Sequence, residues 1–167
     1  SGQRKFVSTG EWEWVNLDIN PKWEPDVVGD WRDMGMIESA SMDLVVSHHS
    51  LEHVGCGEHL VFLGESYRIL KTGGSLLVFV PDLRALAQRW LLGQIDDYTY
   101  LVNVYGAYMG DEADRHKWGI TKTQLAKDVL GLSNEELFKM KEFDYRMIPG
   151  ADIARDWWIS GWELVKL

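Results

Sequence analysis

Two apolar segments of the chain are too continuous to be surface strands. Residues 43–47 read Asp-Leu-Val-Val-Ser, and residues 75–80 read Ser-Leu-Leu-Val-Phe-Val. Short apolar runs without polar alternation are typical of strands that are buried on both faces. Pro81 and Asp82 follow the second run, and proline ends a strand because it has no amide hydrogen for the ladder. The pattern therefore predicts two buried strands.

The segment between these strands has the periodicity of a helix. From Glu58 onward, apolar residues recur at spacings of three and four, which marks one helix face. We expect Gly73 and Gly74 to end this helix, because glycine adopts the left-handed conformation at little cost. Strand, helix and strand in this order imply a parallel pair whose ligands bind beyond the carboxyl ends of the strands. The predicted apolar face consists of Leu60, Leu63, Tyr67 and Leu70.

Further elements are predicted after this unit. After Asp82 the apolar spacing predicts a helix over residues 83–91 and another over residues 98–105. Residues 121–124 have the spacing of a capping box, in which Thr and Gln side chains satisfy amides at a helix start.

The last twelve residues are rich in β-forming side chains and predict a C-terminal strand. Strands and helices in this arrangement indicate an α/β fold.

Composition limits the functions open to this chain. Its 167 residues are 46% hydrophobic, enough for one domain with a sizeable core. A net charge of −9 disfavours nucleic acid as a partner, because an acidic surface repels phosphate. No apolar run reaches the roughly 20 residues of a membrane span, and the single cysteine, Cys56, cannot form an internal disulfide. We therefore expect a soluble, cytoplasmic protein, with its oligomeric state open.

The strings DLVVSHHSLEHV and ESYRILKTGGSLLVFVPD carry a family resemblance. They resemble the central motifs of class I S-adenosylmethionine-dependent methyltransferases, especially a small subgroup with LEH, RxLKxGG and VPD segments. The resemblance implies a Rossmann-like sheet that is mostly parallel, with helices on both faces. In that fold the C-terminal strand is expected to pair antiparallel with a strand near residues 143–148. S-adenosylmethionine is then the expected cofactor, and the expected reaction is methyl transfer to a small-molecule or sugar-like acceptor. It also implies a cofactor-binding half over residues 1–82 and an acceptor side over residues 83–167 of a single domain.

Several positions match the cofactor site of the family. Residues 14–18 and 26–30 look like the second and third strands of that fold, and each ends in an aspartate. Asp18 looks like the acid that accepts hydrogen bonds from the ribose hydroxyls. Asp30 is similar to the acid near the adenine amino group, with Trp31 or Met34 as a neighbour that could cover the ring. Ser1 and Gly2 resemble the tail of the glycine-rich first motif, in which glycine lets the backbone approach the cofactor. The resemblance places Ile19, Ser47 and His48 at the same site.

The glycine-rich first motif is also where the chain departs from the family. No first strand precedes Ser1, so the first strand of the sheet is expected to be missing from this sequence. An alternative is that Ser1 and Gly2 are a cloning remnant.

The acceptor side is expected to hold the catalytic groups. Near the end of the strand at residues 43–47, His49, Glu52 and His53 are candidates for a base or for orienting the acceptor, since histidine can take a proton near pH 7. A segment of the form YG…HKWG adds His116 as a further catalytic and acceptor-binding candidate. Tyr105 and Trp118 are the other acceptor-binding candidates, although each could equally be a packing residue.

A metal site is an alternative role for the histidines. His49 and His53 are four residues apart and Glu52 is adjacent, which is a conceivable ligand set. A third ligand is not evident and there is no HExxH motif, so no metal is predicted.

The sequence leaves two other functions open. A methyltransferase fold that has lost catalysis would serve as a binding protein and would not bind the cofactor. A nicotinamide-dependent oxidoreductase would also place an acid at Asp18, but it needs a complete GxGxxG turn, which is absent here.

Overall fold

The structure, a computed structural model, describes residues 12–107, 110–132, 137–142 and 159–167. It contains six strands and four helices within these ranges. In chain order they are β1 (Leu17–Asp18), β2 (Val27–Val28), β3 (Met42–His48), α1 (Glu58–Ile69), β4 (Leu70–Pro81), α2 (Leu83–Leu91), α3 (Asp97–Tyr105), α4 (Lys122–Gly131), β5 (Phe138–Glu142) and β6 (Ile159–Lys166).

The main sheet has four strands in the order β3-β4-β6-β5. Strands β3 and β4 are parallel, as the strand-helix-strand pattern predicted, while β6 is antiparallel to both of its neighbours. Strands β1 and β2 form a separate parallel pair. The predicted α/β class with an antiparallel C-terminal strand is confirmed.

The partner of the C-terminal strand is not where the sequence placed it. Strand β6 pairs with β5 at Phe138–Glu142. The predicted partner at residues 143–148 lies outside the described residues. Alternating Lys and apolar residues in β5 give a half-exposed outer strand, a weaker signal than the aromatic residues that follow.

Strand β4 lies in the core, whereas β3 is only partly buried. All five residues from Leu76 to Val80 are buried, as expected of a strand between two neighbours. In the described part of the chain β3 pairs with β4 alone, so Leu44, Val45 and Val46 keep partial exposure. The prediction of burial on both faces therefore holds for β4 and is wrong for β3.

Helix α1 begins at Glu58 as predicted, but its buried face is shifted. The buried residues are His59, Phe62, Leu63, Ser66 and Ile69, and Leu60 is exposed. The shift arises because His59 Nε2 bonds to Asp128 Oδ2 of α4 at 2.8 Å. Because His59 is polar, the spacing of apolar residues alone does not reveal that it lies on the buried face of the helix.

The predicted glycine cap of α1 is also wrong. The helix ends at Ile69, and the capping residue Leu70 is already extended. Gly73 has a φ of 79° within an irregularity of β4, where the pairing register with β3 shifts. A side chain at Gly74 would bring a Cβ atom within 3.0 Å of the Asp43 carbonyl oxygen. The two glycines therefore let β4 start close to β3.

The helices after β4 agree with the sequence. Helices α2 and α3 cover both apolar segments, and Asp82 and Asp96 accept hydrogen bonds from amides in the first turns. Thr121 caps α4 by accepting from the amide of Gln124. The other half of the predicted capping box differs, because the Gln124 side chain donates to Asp128. None of the helices in the described ranges is long and apolar enough to cross a membrane.

The carboxyl end of α1 is capped by a lysine from the C-terminal strand. Lys166 Nζ donates to the carbonyl oxygens of Tyr67 and Leu70, both at 2.8 Å. The same ammonium lies 4.2 Å from the centroid of the Tyr67 ring. A cation at this end of a helix interacts favourably with the unpaired carbonyls and with the helix dipole.

We expect Lys166→Met to lower the free energy of unfolding by about 1–2 kcal/mol, because two helix carbonyls lose their donor. Urea unfolding measures this change. The exposed Lys139 of β5 offers a matched control, and Lys139→Met should change stability by less than about 0.5 kcal/mol. Equal effects of the two substitutions would contradict the capping role.

A second polar network attaches the segment after β2 to α1. Arg68 donates to the carbonyl oxygens of Met34 and Ile37 at 2.8 and 2.9 Å. Glu65 accepts from the Met34 amide at 2.9 Å and pairs with Arg68. The hydrogen bond from Arg68 outweighs the effect of burial and lowers the pKa of Glu65.

A lowered pKa makes this network pH-dependent. Its contribution is present above the ordinary pKa of 4.5 and is lost as the pH falls through the lower folded-state value. We expect Glu65→Gln to be less stable than the parent at pH 7 by about 1 kcal/mol, and the difference to shrink below about pH 4. Urea unfolding at pH 7 and pH 3.5 tests this, and a difference that grows at low pH would contradict it.

Candidate functional site

The candidate site is built where the strands of the parallel pairs end. Strand β3 ends at His48, and the next residue, His49, has a left-handed backbone with a φ of 50°. Its amide still donates to the Phe79 carbonyl of β4 at 2.9 Å. A single turn of 3-10 helix, Leu51–His53, follows. This abrupt turn brings the histidines and Glu52 to the carboxyl edge of the sheet.

Glu52 is the buried centre of this group. It is 2% exposed, and its Oε1 lies 3.0 Å from His49 Nδ1 and 4.0 Å from His116 Nε2. Burial alone would raise the pKa of Glu52, but the hydrogen bond from His49 and the nearby imidazoles outweigh it and lower that pKa. The carboxylate is therefore charged at neutral pH and orients His49.

The loop that carries His116 is anchored to the same glutamate. The amides of Lys117 and Trp118 both donate to the Glu52 carbonyl oxygen, at 2.7 and 3.2 Å. The His116 amide donates to the Tyr105 carbonyl at 3.0 Å. The predicted YG…HKWG segment is thus placed beside the end of β3.

His53 and His116 face each other across this anchored loop. Their rings are in an edge-on arrangement with centroids 4.8 Å apart. His53 Nδ1 lies 3.3 Å from the Arg115 carbonyl oxygen, and His116 Nδ1 lies 2.9 Å from that of Asn103. Burial lowers the pKa of His116, and the nearby charge of Glu52 opposes this effect in part.

The aromatic candidates have different surroundings. The Tyr105 side chain is 63% exposed at the end of α3. Trp118 is half-buried and packs against the apolar core. Tyr105 is accessible to an acceptor, whereas most of Trp118 serves packing.

The cofactor candidates lie at the ends of β1 and β2. Asp18 ends β1, and its Oδ1 accepts from the Asn20 amide at 2.8 Å. Asp30 follows β2 and forms a forked ion pair with Arg32, whose Nε lies 3.0 Å from both carboxylate oxygens. The hydrogen bond from Arg32 lowers the pKa of Asp30. Both acids are at the same edge because the two strands are parallel.

The remaining cofactor candidates are distributed around these acids. Ile19 is exposed beside Asp18, and Trp31 makes an edge-on contact with Phe62 of α1 at 4.7 Å. Ser47 is buried near the end of β3, and the His48 ring lies 4.5 Å from that of His49. Ser1 and Gly2 lie outside the described residues.

A hydrogen bond joins the two parts of the site. Asn20 Nδ2 donates to Asp111 Oδ2 at 3.3 Å, which connects the turn after Asp18 with the segment that leads to His116.

Of the predicted site residues, the structure brings the four catalytic candidates, His49, Glu52, His53 and His116, into one group.

Some residues that shape the site were not found from the sequence. Asn103 and Arg115 act through their backbone carbonyls, which no side-chain pattern reveals. Arg32, in contrast, could have been found, because an Asp and an Arg two residues apart can form a local ion pair.

Comparison with known proteins agrees with this architecture. Residues 7–78, less than half of the chain, match the family model described as a methyltransferase domain. A search of curated protein sequences found no match.

Solved structures resemble a larger part of this chain than the family model matches. The PH0226 protein from Pyrococcus horikoshii OT3 is 18% identical with a TM-score of 0.51, over 90% of this chain and 68% of that one. A SAM-dependent methyltransferase from Archaeoglobus fulgidus is 13% identical with a TM-score of 0.51, over 90% and 73%. A possible exported protein from Bordetella parapertussis is 15% identical with a TM-score of 0.56, over 90% and 52%.

These findings confirm the predicted resemblance to class I S-adenosylmethionine-dependent methyltransferases. The family match supports a methyltransferase domain, and the structural likeness shows the fold. The protein from Archaeoglobus fulgidus is described as SAM-dependent, in agreement with the cofactor that the sequence resemblance implies.

A glycine at the end of α3 keeps the His116 loop in place. Gly106 has a φ of 82° and a ψ of 152°, a region open essentially to glycine alone. A Cβ atom there would lie 2.3 Å from the Asp114 carbonyl oxygen and 2.9 Å from the His116 amide nitrogen. The loop can approach the helix only because no side chain is present.

We expect Gly106→Ala to lower the free energy of unfolding by about 3 kcal/mol, because it combines backbone strain with a clash against the loop. Gly93→Ala is the matched control, since Gly93 also has a positive φ but nothing lies within 4 Å of its added Cβ. The control should cost about 1 kcal/mol. Urea unfolding gives both values, and equal losses would contradict the close approach.

Proposed function

We propose that this chain binds S-adenosylmethionine and transfers its methyl group to a small-molecule or sugar-like acceptor. The observation that carries the proposal is the placement of an acid at the end of β1 and of an imidazole-carboxylate group at the end of β3, within a methyltransferase fold. Ligands of such sheets bind at the carboxyl ends of the strands.

The Asp18 carboxylate, on the β1 side of the site, supports binding of the cofactor. The Asp18 carboxylate is half-buried at a strand end and can accept hydrogen bonds from ribose hydroxyls. Asp30 fits less well, because Arg32 already engages both of its oxygens. When bound, S-adenosylmethionine supplies a methyl group that the sulfonium has already activated.

The protein's own task is to place the acceptor and to remove its proton. His49 is the preferred base, because Glu52 holds its Nδ1 and so directs Nε2 away from the carboxylate. The His49 side chain is partly exposed, which gives an acceptor access. His116 and the exposed Tyr105 would line the other side of the acceptor.

The class of acceptor is a proposal that rests on charge and surroundings. A net charge of −9 favours neutral or cationic acceptors over phosphate-rich ones. We further propose that residues 1–82 bind the cofactor and residues 83–167 supply the acceptor side. The cytoplasmic location and the exclusion of nucleic acid stay predictions.

We expect the folded chain to bind S-adenosylmethionine and S-adenosylhomocysteine in calorimetric titration. Asp18→Asn should weaken both by about tenfold to a hundredfold, since hydrogen bonds to a charged group contribute about 1.5–3 kcal/mol. The asparagine keeps an oxygen for the Asn20 amide, so the local turn is preserved.

The matched control is Asp43→Ala. Asp43 lies near the opposite end of β3, and among the described residues its side chain pairs with Lys71 alone, in an exposed ion pair. Its replacement should leave the affinity unchanged. A folded chain that binds neither compound, or an Asp18→Asn variant that binds as well as the parent, would contradict the proposal.

A further inference from the structure

Three side chains at the end of β3 form a ligand set for a metal ion. A carboxylate oxygen of Glu52 and one ring nitrogen each of His53 and His116 lie within 4.8 Å of one another. Ligands of a tetrahedral zinc ion at bond lengths of about 2.0–2.2 Å are roughly 3.4 Å apart. Small side-chain rotations would therefore close the group around an ion.

The tautomers of the two histidines suit this role. A carbonyl oxygen can only accept, so Nδ1 of His53 donates to Arg115 and Nδ1 of His116 donates to Asn103. When the ring is neutral and its proton is on Nδ1, Nε2 carries the lone pair that can bind a metal ion. Metal-binding histidines characteristically donate their other N–H to a carbonyl or carboxylate, which fixes both tautomer and orientation.

The carboxylate supplies an independent observation. Glu52 is 2% exposed, and its Oε2 is buried without a hydrogen-bond partner in the described part of the chain. Its ion-pair contacts there are two histidines, which carry charge only when protonated. A buried carboxylate oxygen without a partner is costly, and a cation is a fitting partner for it.

We propose that Glu52, His53 and His116 bind a divalent first-row transition metal ion such as Zn²⁺. Two imidazoles and one carboxylate are a ligand set known for Zn²⁺ and for other ions of this series, and three protein ligands leave a coordination position open. His49 is outside the set and keeps its bond to Glu52 Oε1.

This proposal revises the expectation that no metal is bound. The sequence offered His49, Glu52 and His53 as a conceivable ligand set. In the structure, residues 51–53 form a single 3-10 turn, and the third ligand comes from the His116 loop. That ligand was not evident because it is distant in the sequence.

An ion with an open position would also bear on the reaction. It could bind an acceptor oxygen and lower the pKa of a hydroxyl beside the base. This consequence rests on the proposed methyl transfer, whereas binding of the ion does not.

The test is calorimetric titration of the chain with Zn²⁺ at pH 7.5, after treatment with a chelator and without a histidine tag. A Cys56→Ser background removes the exposed thiol, which could bind zinc by itself. We expect one ion per chain with a micromolar or tighter Kd, and a melting temperature that rises with zinc concentration.

Variants then locate the ion. His53→Gln and His116→Gln should each weaken zinc binding at least tenfold. His59→Gln is the matched control, because His59 also pairs with a carboxylate, that of Asp128, but is not part of the ligand set. It should leave zinc affinity unchanged.

The outcomes separate this proposal from methyl transfer. No stoichiometric zinc binding by the parent, or full affinity in His53→Gln, would overturn the metal site. If His116→Gln fails to fold, His53→Gln decides, because its ring makes an exposed contact. The zinc titration contains no cofactor, so a parent chain that binds S-adenosylmethionine but no zinc would refute the metal site and leave the proposed methyl transfer standing.

Discussion

The burial of one carboxylate constrains the arrangement of the candidate site. Glu52 is nearly inaccessible at the end of β3, and a charge in such surroundings needs compensation. Its side chain meets His49 and His116, while its carbonyl oxygen accepts from the amides of Lys117 and Trp118. These backbone hydrogen bonds hold the loop that carries His116 beside Glu52. The packing of that loop, the charge of the glutamate and the positions of the imidazoles therefore depend on each other.

The sequence predicts the unit from β3 to β4 well because its signals are local. Apolar runs and helical spacing located both strands and the start of α1 at Glu58. The face of α1 was wrong because His59 is satisfied by Asp128, a residue of another helix. For the same reason the pairing of His53 with His116 was not predicted, since it depends on the backbone carbonyls of residues distant in the chain.

Asp18, the acid proposed to bind the cofactor, lies in a very short strand. Strands β1 and β2 have two residues each and pair only with one another in the described part of the chain. Side-chain bonds between the following segment and α1 hold them in place: Arg32 with Glu58, and Arg68 with Met34. The position of Asp18 therefore depends on these polar contacts as well as on the packing of Leu17, Trp31 and Met34 in or against the core.

The left-handed backbone of His49 shows what the site requires of its sequence. Glycine would adopt a φ of 50° without strain, and histidine accepts a cost of about 1 kcal/mol or more to do so. A search for stabilising substitutions would select glycine here and would remove the imidazole that Glu52 orients. At this position thermodynamic stability opposes the proposed catalytic role, so a more stable chain would lack the proposed base.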